Sequence, residues 1–147
     1  MPIPKKKATP IPDLATKKIL LHGDPKVGKT TMAAAIPDAV FLATEPGLGS
    51  VEAMRWEDEN GSYVIDSWQK LMAATKEVVE SKRFRVIVID TIDLAYELCR
   101  EFVCAKHGEE YYTDGKLGYG KGTALINAEM RRYLMRLGTL NLGVVLL

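Results

Sequence analysis

The sequence has few of the features that mark disulfide-stapled, membrane-spanning or secreted proteins. It contains two cysteines, Cys99 and Cys104, whose spacing matches no metal-ligand pattern. We therefore expect two buried thiols rather than a disulfide framework or a zinc site. Apolar runs of about 18 residues are absent, and no apolar segment follows the lysines near the N-terminus as a secretory signal requires. We expect a cytoplasmic protein with no membrane partner.

Charge of one sign is also scarce, because the 147 residues carry a net charge of only +1. The first 18 residues hold five lysines against Asp13, a local charge of +4, so the remainder sums to −3. This balance excludes a globally basic surface that would attract any nucleic acid. Four prolines disfavour regular structure near the N-terminus. We interpret residues 1–16 as a flexible Pro/Lys-rich arm and residues 17–147 as one domain.

Beyond the arm, short β-like runs alternate with helical patterns. The composition, 47% hydrophobic and 27% charged, is typical of a globular protein. Four apolar runs predict strands at 18–22, 39–44, 85–90 and 142–147. Apolar residues recurring every three or four positions predict helices over 68–79, 92–103 and 126–137, the first capped by Asp66 or Ser67 and the last ending at Gly138. This alternation indicates an α/β fold with parallel strands joined by crossover helices.

The last predicted strand, at 142–147, is almost continuously apolar. Such a strand is typical of the centre of a parallel sheet, where both faces are buried. Because natural domains seldom end inside such a strand, we expect the sequence to be a C-terminally truncated piece of a longer protein.

One motif carries most of the chemical information. Residues 23–30 read GDPKVGKT and fit G-x-x-x-x-G-K-[ST] at every fixed position, between a predicted strand and a helix-forming run. In this motif the backbone N–H groups and the helix start hold phosphate oxygens. We therefore predict nucleotide binding, with Lys29 stabilising the outer phosphates and Thr30 holding Mg²⁺. The predicted binding residues are Gly23, Asp24, Pro25, Lys26, Val27, Gly28, Lys29, Thr30 and Thr31.

Two carboxylates follow predicted strands. Asp90 closes the β-branched run at 85–90, where it can hold Mg²⁺ beside the phosphate-binding motif. The next residue is Thr91 rather than a glutamate, so another base must activate water. Glu45 is our candidate, because it follows the strand at 39–44 on the same edge of the sheet. The alternative is that Glu45 only caps a turn with Pro46 and Gly47.

A flexible loop predicted at 108–122 mixes tyrosines and lysines. Tyr119 could stack on nucleic-acid bases while Lys116 and Lys121 contact phosphates. Three acidic residues against two lysines give this segment a charge of −1, so an ordinary surface loop remains the alternative.

These motifs together resemble the RecA-like recombinase core. The resemblance covers residues 17–147 and rests on the GKT loop, FLATEPGLG, the strand ending in Asp-Thr, and MRRYLMRLGTLNLGVVLL. More narrowly, the sequence resembles the compact RecA-like ATPases of bacteriophages, AAA-type nucleotide-binding proteins grouped with single-strand annealing proteins. That family implies a three-layer P-loop NTPase that uses ATP and Mg²⁺, with Glu45 activating water. Its sensor residue and second DNA loop would lie beyond Leu147.

The resemblance further implies ATP hydrolysis coupled to single-stranded DNA binding or annealing in phage recombination. It implies a homo-oligomer, encoded by a phage or prophage, in the cytoplasm of a bacterial host. Two other functions stay open. One is a nucleotide-gated assembly or binding module with little hydrolysis, and the other is a P-loop kinase of small molecules, although the sequence has no discrete arginine-rich lid.

Overall fold

Four parallel strands form the centre of the structure, a computed structural model that describes residues 13–147. The strands are β1 (Lys18–Leu20), β2 (Ala39–Ala43), β3 (Val86–Asp90) and β4 (Gly143–Leu146). The helices are α1 (Lys29–Ala34), α2 (Trp68–Ser81), α3 (Ile92–His107) and α4 (Lys121–Thr139). Short 3₁₀ helices form at Leu14–Thr16, Pro46–Ser50 and Gly115–Leu117.

The strand order is β1-β4-β3-β2, with every neighbouring pair parallel. The last strand in the sequence therefore lies inside the sheet, which confirms the prediction made from its apolar character. β1 lies at one edge, where Leu20 is 65% exposed. The register pairs Ala43 of β2 with Asp90 of β3, so these two strands end side by side.

Helices cover both faces of the sheet, but unequally. α2, α3 and α4 pack on one face and form the larger apolar cluster, which includes Trp68, Leu71 and Tyr133. The six-residue α1 and the chain around Leu48 cover the other face. Because apolar side chains on both faces of a parallel sheet need a cover, this arrangement yields three layers. The predicted α/β fold of a P-loop NTPase is confirmed.

The helix ends follow local capping, but α4 differs from the sequence prediction at both ends. Ser67 caps α2 by accepting a hydrogen bond from the Lys70 backbone N–H at 3.3 Å. α4 begins at Lys121, five residues before the predicted start at 126, and ends at Thr139 rather than Gly138. Its N-cap is Gly120, in the left-handed region at φ 79°, so the side-chain signal that marks most helix starts is missing.

The N-terminal part of the predicted arm, residues 1–12, lies outside the described residues. Residues 14–16 form the first 3₁₀ helix, and Asp13 pairs with Arg85, the residue before β3. β1 ends at Leu20, two residues earlier than predicted. Cys99 and Cys104 are both buried, as expected. Within residues 13–147, no helix has the length and apolar character needed to cross a membrane.

Candidate functional site

The phosphate loop, residues 23–30, leads from β1 into α1 at the carboxyl edge of the sheet. It is exposed as far as Gly28, which is the N-cap of α1. Gly28 has φ 96° and Lys26 has φ 67°, so the loop turns through the left-handed region twice. A side chain at position 28 would be strained by that backbone conformation. Glycine at this fixed position therefore lets the loop fold tightly onto the start of the helix.

The side chain of Lys29 lies over the phosphate loop. Its ammonium Nζ donates hydrogen bonds to the carbonyl oxygens of Gly23 and Asp24, at 2.6 and 2.9 Å. The same charge also acts on Asp90, whose pKa it lowers. Lys29 therefore holds its positive charge at the loop where the sequence predicts the phosphates of a nucleotide.

Thr30 and Asp90, which the sequence predicts as metal ligands, are in direct contact. The Thr30 hydroxyl donates a hydrogen bond of 2.9 Å to Asp90 Oδ2 across 60 residues of sequence. Asp90 is 6% exposed and is the one buried charged residue of the described chain. A hydroxyl and a carboxylate are hard oxygen ligands, which suit Mg²⁺. Among residues 13–147 no group of three His, Cys, Asp or Glu side chains forms a separate metal site.

Burial sets the electrostatics of Asp90. Removal from water raises the pKa of its carboxyl group above the ordinary value of an aspartate. The hydrogen bond from Thr30 and the nearby charge of Lys29 act in the opposite direction and lower the pKa, but they do not cancel the effect of burial. A carboxylate whose charge is costly in the folded chain is suited to pairing with a cation.

Glu45 lies just beyond the end of β2, on the same carboxyl edge as Asp90. It is partly buried and occupies the N-cap position of the 3₁₀ helix Pro46–Ser50, yet its side chain makes no capping hydrogen bond. Its carboxylate lies close to Gly47, where an added Cβ would be 3.6 Å from Oε1. The carboxylate is therefore not used to cap the turn.

Sequence reasoning missed Thr44, which links the ends of β2 and β3. Its hydroxyl donates to the Thr91 carbonyl at 3.0 Å and accepts from the Thr91 N–H at 2.9 Å. Its own N–H donates to the Asp90 carbonyl at 2.8 Å. The only signal in the sequence is a polar residue directly after an apolar strand and directly before Glu45.

The segment at 108–122 is more regular than the predicted flexible loop. Leu117 lies in the 3₁₀ helix Gly115–Leu117 and is fully buried, and Lys121 is the first residue of α4 rather than part of a loop. The Glu109 carboxylate accepts a hydrogen bond from the Lys116 backbone N–H at 2.9 Å. The side chains of Lys116, Tyr119 and Lys121 are all exposed, Tyr119 completely. The segment is thus anchored in the core while these three side chains face solvent.

Comparisons with known proteins agree with this geometry. Residues 15–147 match the sequence family described as AAA domain. A curated relative, the SPbeta prophage-derived uncharacterized protein YorG of Bacillus subtilis (strain 168), is 22% identical over 112 residues. That alignment covers 73% of this chain and 33% of the relative, so the chain spans about a third of the relative's length. No solved structure matches the chain.

The family match includes the phosphate loop, Glu45 and Asp90, and it reaches from the first 3₁₀ helix to Leu147. Such a match indicates a P-loop ATPase domain, which agrees with the parallel sheet and with the contact between Thr30 and Asp90. The chain belongs to the AAA domain family.

Proposed function

We propose that this domain binds ATP together with Mg²⁺ and hydrolyses the terminal phosphate. The observation that carries the proposal is the 2.9 Å hydrogen bond between Thr30 and Asp90, beside a lysine folded over a phosphate loop. The hydroxyl and the carboxylate are the oxygen ligands that a P-loop domain uses for Mg²⁺. The residues present therefore fit a magnesium nucleotide.

Each residue has a defined part in the proposed reaction. The phosphate-loop N–H groups bind phosphate oxygens, and Lys29 stabilises the charge that develops on the transferred group. Thr30 and Asp90 hold Mg²⁺, which neutralises phosphate charge when it is bound. Glu45 orients the attacking water and accepts its proton. Its carboxylate is available because it is not used in capping.

The decisive experiment compares Glu45→Gln with the wild-type chain in two assays, magnesium-ATP binding by calorimetry and steady-state phosphate release. We expect the variant to bind the nucleotide with unchanged affinity and to release phosphate at least ~100-fold more slowly, because general-base catalysis contributes about that much or more. Glu52→Gln is the matched control, since Glu52 is an exposed acid in the same segment. It should behave as wild type in both assays.

The same measurements separate the two other functions. A nucleotide-gated assembly module binds magnesium-ATP but releases little phosphate with or without the substitution. A small-molecule kinase transfers phosphate to an added nucleoside or metabolite rather than to water. Absence of any binding by the wild-type chain, or unchanged turnover in Glu45→Gln, would contradict the proposal.

We further propose that the complete protein is phage or prophage encoded and couples ATP to single-stranded DNA binding or annealing during recombination, as a homo-oligomer in the bacterial cytoplasm. Two observations support this. The relative in Bacillus subtilis is described as prophage-derived. The exposed side chains of Lys116, Tyr119 and Lys121 combine cations with an aromatic ring, the residue types that bind single-stranded nucleic acid.

The DNA proposal is tested by anisotropy of a labelled single-stranded oligonucleotide, with and without magnesium-ATP, at two salt concentrations. Changing Lys116 and Lys121 to alanine should weaken binding and flatten its salt dependence, because fewer counterions are released. Changing Lys76 and Arg83 to alanine is the control, since both are exposed cations elsewhere on the chain. Equal affinity of the two double variants would contradict a role for this segment. Light scattering of the same samples reports whether subunits assemble.

A further inference from the structure

We infer that Thr44 is a positioning residue that fixes Glu45 relative to Asp90, an inference that rests on the ATPase activity proposed above. Thr44 immediately precedes Glu45, and its hydroxyl both donates to and accepts from the backbone of Thr91, the residue immediately after Asp90. A single side chain therefore joins the two strand ends at the residues adjacent to the proposed base and the proposed metal ligand.

The need for such a link follows from the paths of the two strands. The ladder between β2 and β3 ends with the pair Ala43 and Asp90. Beyond it the chain turns into the 3₁₀ helix Pro46–Ser50 on one side and into α3 on the other. Past the ladder, the strand ends are connected by three hydrogen bonds between 2.8 and 3.0 Å, and two of them use the Thr44 hydroxyl.

The partner of Thr44 is itself firmly held. Thr91 is the N-cap of α3, and its side chain accepts from the Leu94 N–H at 3.5 Å. The next residue, Ile92, donates its N–H to the Leu147 carbonyl after β4 at 2.7 Å. The Thr44 hydroxyl thus ties the segment carrying Glu45 to a point fixed by both α3 and β4. Loss of the hydroxyl would release Glu45 rather than Asp90, which keeps its place in β3 and its bond to Thr30.

This difference predicts a specific kinetic signature. Valine has nearly the shape of threonine but no hydroxyl, so Thr44→Val removes both side-chain hydrogen bonds. We expect kcat to fall ~10- to 100-fold, as it does when a reacting group is displaced by about 1 Å. KM and the affinity for magnesium-ATP should stay close to wild type, because the phosphate loop and Asp90 are untouched. Thr44→Ser keeps the hydroxyl and should restore most of the rate.

A double variant separates positioning from general support of the fold. If Thr44 acts through Glu45, then adding Thr44→Val to Glu45→Gln should cause little further loss, since non-additivity is the mark of residues that act together. A structural role alone would slow the Glu45→Gln chain as much as it slows the wild type. Thr44→Ala provides the same comparison if the valine variant does not fold, as judged by its thermal melt.

Hydrogen exchange of the Thr91 amide gives a readout independent of activity. In the wild type and in Thr44→Ser this N–H has a hydroxyl acceptor, so its exchange should be slow, whereas in Thr44→Val it should be clearly faster. Unchanged turnover in the valine variant, additive losses in the double variant, or failure of serine to restore the rate would overturn the inference. Turnover of Glu45→Gln tests the proposed function separately, and unchanged turnover there would remove the basis of both.

Discussion

The two faces of the sheet differ in what holds their residues together. On the face covered by α2, α3 and α4, the contacts are mainly apolar, and polar groups such as Tyr133 and Trp68 are paired within the core. On the face covered by α1, the contacts at the carboxyl edge are individual hydrogen bonds between polar side chains, such as the one between Thr30 and Asp90. The first face holds the larger apolar cluster, and the second combines a smaller apolar cluster with a buried charge.

This division has an energetic basis. Apolar burial stabilises the chain roughly in proportion to area, so the three long helices supply most of the favourable free energy. The carboxyl edge contains instead a carboxylate whose pKa is raised by burial, which is a cost to the folded chain. Variants on the helical face should therefore lower stability without changing ligand binding, and variants at the edge should weaken ligand binding without lowering stability.

The largest expected effect is on the helical face. Leu71 on α2 is fully buried, so Leu71→Ala should lower the free energy of unfolding by about 2–5 kcal/mol, measured by urea denaturation. The affinity of the folded fraction for magnesium-ATP should not change. Gln69→Ala, at an exposed position on the same helix, should alter stability by less than about 0.5 kcal/mol. A parallel loss of nucleotide affinity in Leu71→Ala would break the proposed division between the faces.

Asp90→Asn should weaken ligand binding without destabilising the chain. Removing a metal ligand should weaken magnesium-dependent nucleotide binding by ~10-fold or more, because even the residues that support a metal ligand contribute about that much. Removing a buried charge should raise the melting temperature of the chain without ligand. Asp66→Asn, at an exposed site on the chain, should change neither quantity measurably.

The pH dependence sharpens the same test. Because the pKa of Asp90 is higher in the folded chain than in the unfolded chain, the folded state binds more protons in the interval between the two values. The free energy of unfolding contributed by this group must therefore fall as pH rises through that interval. Asp90→Asn should lack this slope in urea titrations. Identical pH profiles for the variant and the wild type would contradict the assignment.

A smaller effect is expected for Tyr133→Phe. The Thr75 hydroxyl donates to the Leu71 carbonyl at 2.8 Å, so the Tyr133 hydroxyl must donate to Thr75, also at 2.8 Å. Phenylalanine removes that one bond but leaves Thr75 with its acceptor, which should lower stability by about 0.5–1.5 kcal/mol in urea. Tyr96→Phe removes an exposed bond to Asn127 and should cost less. Equal costs would show that burial does not distinguish the two sites.

The last test on the helical face concerns the reactivity of its two thiols. Burial, together with the nearby charge of Glu129, raises the pKa of Cys99 to about 12, so this thiol stays protonated at neutral pH. Labelling of Cys99 and Cys104 by a thiol reagent should be slow in the native chain and should speed up with urea in step with global unfolding. Rapid labelling without denaturant would indicate that the helical face opens locally.

The parts predicted correctly from sequence were those encoded by nearby residues. Apolar runs predicted the four strands, and the near-continuous apolar character of β4 predicted its place inside the sheet. The phosphate loop was recognisable because its fixed residues are close together in the chain. The sequence also predicted that Asp90 lies beside the phosphate loop, because the strand delivers its carboxylate to that edge of the sheet, and Asp90 does contact Thr30. The metal-binding role of these two residues stays a prediction.

The parts that were missed depend on contacts without a local signal. The hydrogen bonds between Thr44 and Thr91 join residues 47 positions apart, and the sequence around Thr44 does not indicate which residue it contacts. The start of α4 was misplaced because a left-handed Gly120 caps it without a side chain. Gly122 lies inside that helix, where an added Cβ would collide with the Tyr112 carbonyl. Glycine there reflects close packing rather than a turn.

The buried charge of Asp90 also has a consequence for how long the protein survives in a cell. Under the proposed function, magnesium nucleotide binds the folded chain and not the unfolded one, so a concentration of 100 times Kd would add about 2.7 kcal/mol of stability. Proteases that capture unfolded chains would then degrade the protein faster whenever nucleotide is depleted. Its abundance would then follow the nucleotide level of the cell.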